Sequence, residues 1–322
     1  MTRLLPSASE VRDAAQRLQG VSVRTPLRRS DALSQLAGGD VYLKLESAQL
    51  TGSFKLRGAF NAMSLLGPDE RARGVVVSSA GNHGLGVAEA AQRLGIVATV
   101  FVPKHAPQVK KDGIARRGAR VIDDAIDYDD AMVKARAFAV ETGATFVHPC
   151  LGVPLLAGQG TVASEVLEKL PSLQTMLVCV GGGGLLGGVG AYLLSEAPQV
   201  RVVGVQSEHT NAMSRAMEAG RVIEIENLPT LADGLAGQID DDALAIGQAT
   251  LESIVTVTEE ELASAIAWLW VAEGIRAEGA GAVCVAALRS GRLSYLAPPI
   301  VAIVSGGNID KTRLQGILAQ RQ

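Results

Sequence analysis

Apolar and polar positions along the chain follow two rhythms. Short runs rich in Val, Ile and Leu read as strands: "GVVVSS" (74–79), "VATVFVP" (97–103), "MLVCV" (176–180), "RVVGVQ" (201–206), "SIVTVT" (253–258) and "IVAIVS" (300–305). "VYLKLE" (41–46) and "ARVIDD" (119–124) are weaker strand signals. Between them lie stretches with helical spacing: "FKLRGAFNAMSLL" (54–66), "GVAEAAQRL" (86–94), 107–117, 128–142, "EELASAIAWLWVA" (260–272) and "GAVCVAALRSG" (281–291). Ser7-x-x-Glu10 is a capping-box signal for the first helix. Apolar strands alternating with helices predict an α/β protein with two parallel or mostly parallel sheets flanked by helices. One run of such units spans roughly 74–124 and another begins near 175, with no low-complexity linker between them. Two interleaved α/β domains with a cleft between them are therefore expected.

Composition narrows the function classes. The chain has 322 residues, 48% hydrophobic and 20% charged, as a soluble globular protein should. Only 3% are aromatic, so Ala, Val, Leu and Ile must build the core. A net charge of −3 leaves no basic footprint for nucleic acid. Cys150, Cys179 and Cys284 are far apart and form no CxxC pair, which argues against disulfides and for a reducing compartment. His83, His105, His148 and His209 lack zinc-ligand spacing. The N-terminal segment does not read as a signal peptide. Thr175–Leu194 carries no charge, but its glycines favour a buried strand, turn and helix over a membrane span. A cytoplasmic protein with no membrane partner is expected.

Four segments carry candidate chemistry. In "TGSFKLRGAF" (51–60), Thr51, Gly52 and Ser53 form a turn that could cap a helix, with Lys55 in its first turn. A cation is disfavoured there by the positive end of the helix. The free amine is the form that attacks a carbonyl. In "SSAGNHGLGVA" (78–88) a strand ends and a helix begins, which places main-chain N–H groups where a carboxylate would bind. "VSGGNID" (304–310) puts Ser305 at another strand end. "VCVGGGGLLGGVG" (178–190) is a glycine-rich loop after an apolar run, and it contains Gly182-x-Gly184-x-x-Gly187, the dinucleotide fingerprint. An NAD-binding oxidoreductase is thus one reading, with Glu208 after the next strand as its ribose acid. It gives Lys55, Asn82 and Ser305 no role.

These segments, with "AGQGT" (157–161), "TLADG" (230–234) and "AEGAGA" (277–282), occur in the order and spacing of pyridoxal-phosphate enzymes of fold type II. The chain resembles their threonine/serine dehydratase and serine racemase branch from about residue 10 to 312. The resemblance implies a tryptophan synthase β-like fold, with 1–73 and 153–322 as a large cofactor-binding domain and 74–152 as a small one. It implies pyridoxal 5'-phosphate as cofactor, joined to Lys55, with Phe54 beside its ring and Asn82 on its ring hydroxyl. Gly181, Gly182, Gly183, Gly184 and Leu185 would cradle its phosphate, and Ser305 would face its ring nitrogen. Ser79, Ala80, Gly81, Asn82 and His83 would hold the substrate carboxylate, with Cys150 lining the substrate side. The implied reaction is β-elimination from a β-hydroxy amino acid such as L-threonine or L-serine, or a bulkier or acidic analogue, giving a 2-oxo acid and ammonia. Racemisation and β-replacement are the alternatives on the same fold, and a homodimer is the implied assembly. Three positions depart from the family pattern. Ala80 stands where racemases carry a second serine. Gln206 and Ala212 stand where the family often carries carboxylate ligands for a divalent cation, so no metal is expected. Cys150 stands where Asn often follows His-Pro.

Overall fold

The computed structural model describes residues 3–226 and 228–320. Ten strands form two sheets among these residues. In chain order they are β1 (Leu27–Arg29), β2 (Val41–Leu45), β3 (Val75–Ser78), β4 (Ala98–Pro103), β5 (Arg120–Ala125), β6 (Thr145–Phe146), β7 (Thr175–Cys179), β8 (Arg201–Ser207), β9 (Ser253–Val257) and β10 (Ile300–Val304). The larger sheet has the order β1-β2-β10-β7-β8-β9 and the smaller β5-β4-β3-β6. All pairings are parallel except β1 with β2.

The helices are α1 (Ala8–Arg17), α2 (Asp31–Ala37), α3 (Lys55–Ser64), α4 (Pro68–Arg73), α5 (Asn82–Leu94), α6 (Gln108–Ala115) and α7 (Tyr128–Thr142). After the smaller sheet come α8 (Val153–Lys169), α9 (Gly184–Glu196), α10 (Ala212–Ala219), α11 (Asp241–Thr250), α12 (Glu259–Val271), α13 (Gly279–Arg289) and α14 (Lys311–Ala319). Every residue of β7 and β10 is buried, as strands covered on both faces require. The core is built from Val, Leu, Ile and Ala. The expected capping box is present, with Ser7 Oγ accepting from the Glu10 N–H and Glu10 accepting from the Ser7 N–H.

Two local expectations are corrected. Thr51-Gly52-Ser53 does not cap α3; the N-cap is Phe54, and no side chain accepts from the first turn. Helix α5 starts at Asn82 rather than at 86, so the "GNHG" turn is partly its first turn. Its glycines read as breakers but serve close packing: a Cβ on Gly84 would lie 2.1 Å from the Ser79 carbonyl oxygen. No helix among the described residues is long and apolar enough to cross a membrane.

The strand order positions the site. Because β2, β10, β7 and β8 run parallel, their carboxyl ends line one edge of the larger sheet, the edge where open α/β sheets bind ligands. The glycine loop leaves β7, Ser305 leaves β10, and the Lys55 turn follows β2.

Candidate active site

Lys55 is the first residue of α3, and main-chain bonds fix that turn to the end of β10. The Phe54 N–H donates to the Ser305 carbonyl at 3.2 Å, the Gly307 N–H donates to Gly52 at 2.9 Å, and Ser53 pairs with Gly306. Two residues on, Arg57 is fully buried. Its guanidinium donates to Glu46 at 2.8 and 2.9 Å and to Glu165 at 2.7 and 3.1 Å. Lys44 completes this cluster by donating to Glu165. Two cations and two carboxylates thus lock α3 to β2 and α8. Lys55 Nζ donates to the Pro149 carbonyl at 2.8 Å and lies 5.2 Å from the centre of the Phe54 ring.

Pro149 belongs to a short segment that joins Lys55 to the glycine loop. His148 Nδ1 accepts from the main-chain N–H of Cys150 at 3.1 Å and of Leu151 at 2.8 Å, which curls the segment. Cys150 then abuts the loop: a Cβ on Gly184 would lie 2.9 Å from Cys150 Cα, and one on Gly182 2.9 Å from its Sγ. Gly183 has φ +83°, a conformation that favours glycine. Among the described residues, no protein group accepts from the main-chain N–H groups of Gly181 through Leu186. These N–H groups lie in the loop and first turn at the N-terminus of α9, and the described residues supply them no acceptor. A phosphate supplies one. The residues present therefore fit the phosphorylated cofactor that the resemblance implies.

Ser305 Oγ donates to the Ala280 carbonyl at 3.1 Å. Beside it lies the buried Cys179 thiol, which burial pushes up to about 11. Both neighbours are thus uncharged at neutral pH. Asn82, expected to face the ring hydroxyl, has its amide engaged on both sides: Nδ2 donates to Glu278, and Oδ1 accepts from Asn308 at 2.6 Å. Glu278 is buried, and burial foremost pushes its carboxyl up to about 7. A cavity of about 420 Å³ opens beside Glu278 and Asn308, lined also by Lys110, Asp233 and Arg313. Ser79 Oγ accepts from the Gly81 N–H at 3.2 Å and shapes the loop that includes Ala80. His83 Nε2 donates to the Val147 carbonyl at 3.0 Å, so the proton sits on Nε2. Its buried Nδ1 has no partner among the described residues. Burial, then the charge of Lys55, pushes His83 down to about 3.

The structure therefore brings Phe54, Lys55, Ser305, Asn82 and His83 to one region and joins them to Cys150 and the glycine loop. Cys150, expected on the substrate side, is partly buried and packs against Gly182 and Gly184 of the loop. Sequence reasoning missed the parts played by Glu278, Asn308, His148 and the Pro149 carbonyl. Glu278 did stand in the quoted "AEGAGA" segment, where an acid before a helix reads as an ordinary N-terminal residue.

Comparisons with known proteins agree with this geometry. The sequence pattern described as "Pyridoxal-phosphate dependent enzyme" matches residues 19–306. An L-threonine ammonia-lyase from Thermotoga maritima is 42% identical over 310 residues, covering 96% of this chain and 77% of that protein. The processed form of threonine deaminase isoform 2 from Solanum lycopersicum superposes with a TM-score of 0.92 at 30% identity, covering 100% of this chain and 93% of that one. Maize serine racemase superposes with a TM-score of 0.91 at 28% identity, covering 98% of each chain.

Proposed function

Because the chain belongs to the pyridoxal-phosphate dependent enzyme family, we propose that it is an ammonia-lyase that dehydrates and deaminates a β-hydroxy amino acid, L-threonine first. The observation that carries this reading is the joining of Lys55 to the unsatisfied glycine loop through residues 148–150.

When bound, the cofactor supplies the electron sink that lets an amino acid lose its α-proton. The chain's own residues do the rest. The N–H groups of Gly181–Leu185 would hold the phosphate, Phe54 would lie beside the ring, and the second Nδ2 hydrogen of Asn82, the one not donated to Glu278, would serve the ring hydroxyl. Lys55 Nζ would hold the cofactor at rest and, once freed, would take the proton from the substrate Cα. The N–H groups of Ala80, Asn82 and His83 would hold the carboxylate, since those of Ser79 and Gly81 already donate to the Phe101 carbonyl and to Ser79 Oγ. Ser305 would face the ring nitrogen as an uncharged group where a carboxylate would hold a proton on it, which would favour loss of the β-hydroxyl. The hydroxyl would leave as water with one proton, which balances the proton Lys55 takes from Cα; the released enamine would become an imine, and one water would hydrolyse it. The net products are a 2-oxo acid and ammonia.

Racemisation needs a second proton carrier on the opposite face, and Ala80 has no proton to give. The two sheets support a division into a small domain over 74–152 and a large one formed by 1–73 and 153–322. A homodimer and a cytoplasmic location complete the proposal; three free cysteines suit a reducing compartment.

A panel of L-threonine, L-serine, threo-3-hydroxyaspartate and phenylserine, scored for ammonia, 2-oxo acid and racemisation, tests the reading. Borohydride should fix the yellow chromophore onto Lys55, as read by peptide mapping, and Lys55→Ala should abolish elimination. Substantial turnover by that variant removes Lys55 from its role.

A further inference from the structure

Gln206 lies in β8, next to its end, and is fully buried. Its side-chain amide makes three hydrogen bonds to the main chain. Nε2 donates to the Val180 carbonyl at 3.0 Å and to the Thr210 carbonyl at 2.7 Å, and Oε1 accepts from the Ser214 N–H at 2.9 Å. The partners fix the orientation of the amide: two carbonyls can only accept, and a main-chain N–H can only donate. Val180 is the residue immediately before the glycine loop, Thr210 lies in the turn between β8 and α10, and Ser214 is in the first two turns of α10. One amide thus fastens the root of the loop to the turn and helix behind it.

The donor set does not fit the divalent cation that the resemblance associates with this strand end. Two main-chain carbonyls pointing at a carboxylate would make a set of hard oxygen ligands. Here the N–H hydrogens of Gln206 already occupy both carbonyls, and Ala212 offers no second carboxylate. The positive end of the amide stands where the positive ion would.

We propose that the Gln206 side-chain amide replaces a bound divalent cation as a positioning group, ordering the root of the glycine loop from behind so that loop order and cofactor binding need no cation. The second part rests on reading the loop as the cofactor's phosphate cradle. Gln206→Glu keeps the shape but turns the amide into a carboxylate facing two carbonyls, a set that then requires a cation. Gln206→Leu removes the polar group and offers no ligand.

The test uses the full-length wild type and both variants, prepared in chelator and titrated with Mg²⁺ or Ca²⁺. Melting temperature is read with and without cofactor, and cofactor affinity is read by absorbance. Wild type should be indifferent to chelator and cation in both readouts. Gln206→Glu should bind cofactor about tenfold more weakly in chelator, as expected for unpaired buried carbonyls. Its affinity and melting temperature should both recover with either cation. Gln206→Leu should be weakened and should not recover. A purely structural role would leave the two variants alike in their response to cation.

The proposal is overturned if chelator weakens the wild type, if Gln206→Glu matches wild type in chelator, or if cation fails to restore Gln206→Glu, folded or not. A wild type that binds no cofactor, with melting temperatures behaving as expected, removes the cradle reading alone and leaves the replacement of the cation standing.

Discussion

His148→Asn tests whether the segment between Lys55 and the glycine loop depends on a neutral ring. His148 Nδ1 accepts two main-chain N–H bonds, from Cys150 and Leu151, and does so only while it carries no proton. Burial foremost, opposed by Asp240 and aided by Arg136 and Lys55, pushes His148 from 6.5 down to about 4. The unfolded chain therefore binds a proton below pH 6.5 that the folded chain refuses until about pH 4. Between those values the unfolded state holds more protons, so stability falls as pH falls. At about 1.4 kcal/mol per pH unit, the full window is worth about 3 kcal/mol, with about 2 kcal/mol lost by pH 5. His83, pushed down to about 3, adds a loss of the same sign, so the comparison must be between variant and wild type. Asparagine places Oδ1 near the position of Nδ1, accepts the same N–H groups as an Asx turn, and does not titrate. Urea denaturation of the holoenzyme from pH 8 to pH 5 should show near-equal stability at pH 8. At pH 5 the variant should be the more stable by about 2 kcal/mol. Parallel acid losses in the two proteins would refute the reasoning.

Three further outcomes are expected. Glu278 is raised from 4.5 to about 7 in the folded state, so its contribution is intact below pH 4.5 and is lost as pH rises through 7. Glu278→Gln keeps an acceptor for Asn82 and removes that loss, so it should raise the melting temperature at pH 8 and leave it unchanged near pH 4.5. Arg57→Met strands Glu46 and Glu165 with only Lys44 to compensate them, and should cost about 3–5 kcal/mol in chemical denaturation. Gly184→Ala forces a methyl group to within 2.9 Å of Cys150 Cα, a main-chain atom, and should weaken cofactor binding about tenfold in a fluorescence titration.

What the sequence discloses and what it hides divide along physical lines. Interior parallel strands are continuous apolar runs, so β3, β4, β7, β8 and β10 are visible within one or two residues at each end. The edge strands β1 and β6 have three and two residues and carry no periodic signal. Glycine misleads in a second way: Gly84 and Gly86 suggest a late start to α5, but they allow that helix to pack closely against Ser79 and the backbone of Lys55. Lys55 was legible because its place at a helix start conflicts with the helix dipole. The Glu278–Asn82–Asn308 chain was not, since its members lie 196 and 226 positions apart and only the fold makes them neighbours.

The glycine loop shows why a motif gains meaning from its surroundings. Its fingerprint match holds at Gly182, Gly184 and Gly187, yet the three glycines answer to local packing. Gly182 and Gly184 make room for Cys150, and a Cβ on Gly187 would press on Ile246 at 3.1 Å and Leu156 at 3.2 Å. Local packing favours these glycines independently of which phosphate the loop holds. Strand order decides which phosphate that is. The last strand of the chain, β10, inserts between β2 and β7, and so places the Lys55 turn, Ser305 and the loop at neighbouring strand ends. Lys55 reaches the Pro149 carbonyl, and the next residue in the chain walls the loop. A dinucleotide site has no use for an amine at that spot, whereas a phosphorylated aldehyde needs an amine and an anion cradle joined in this way.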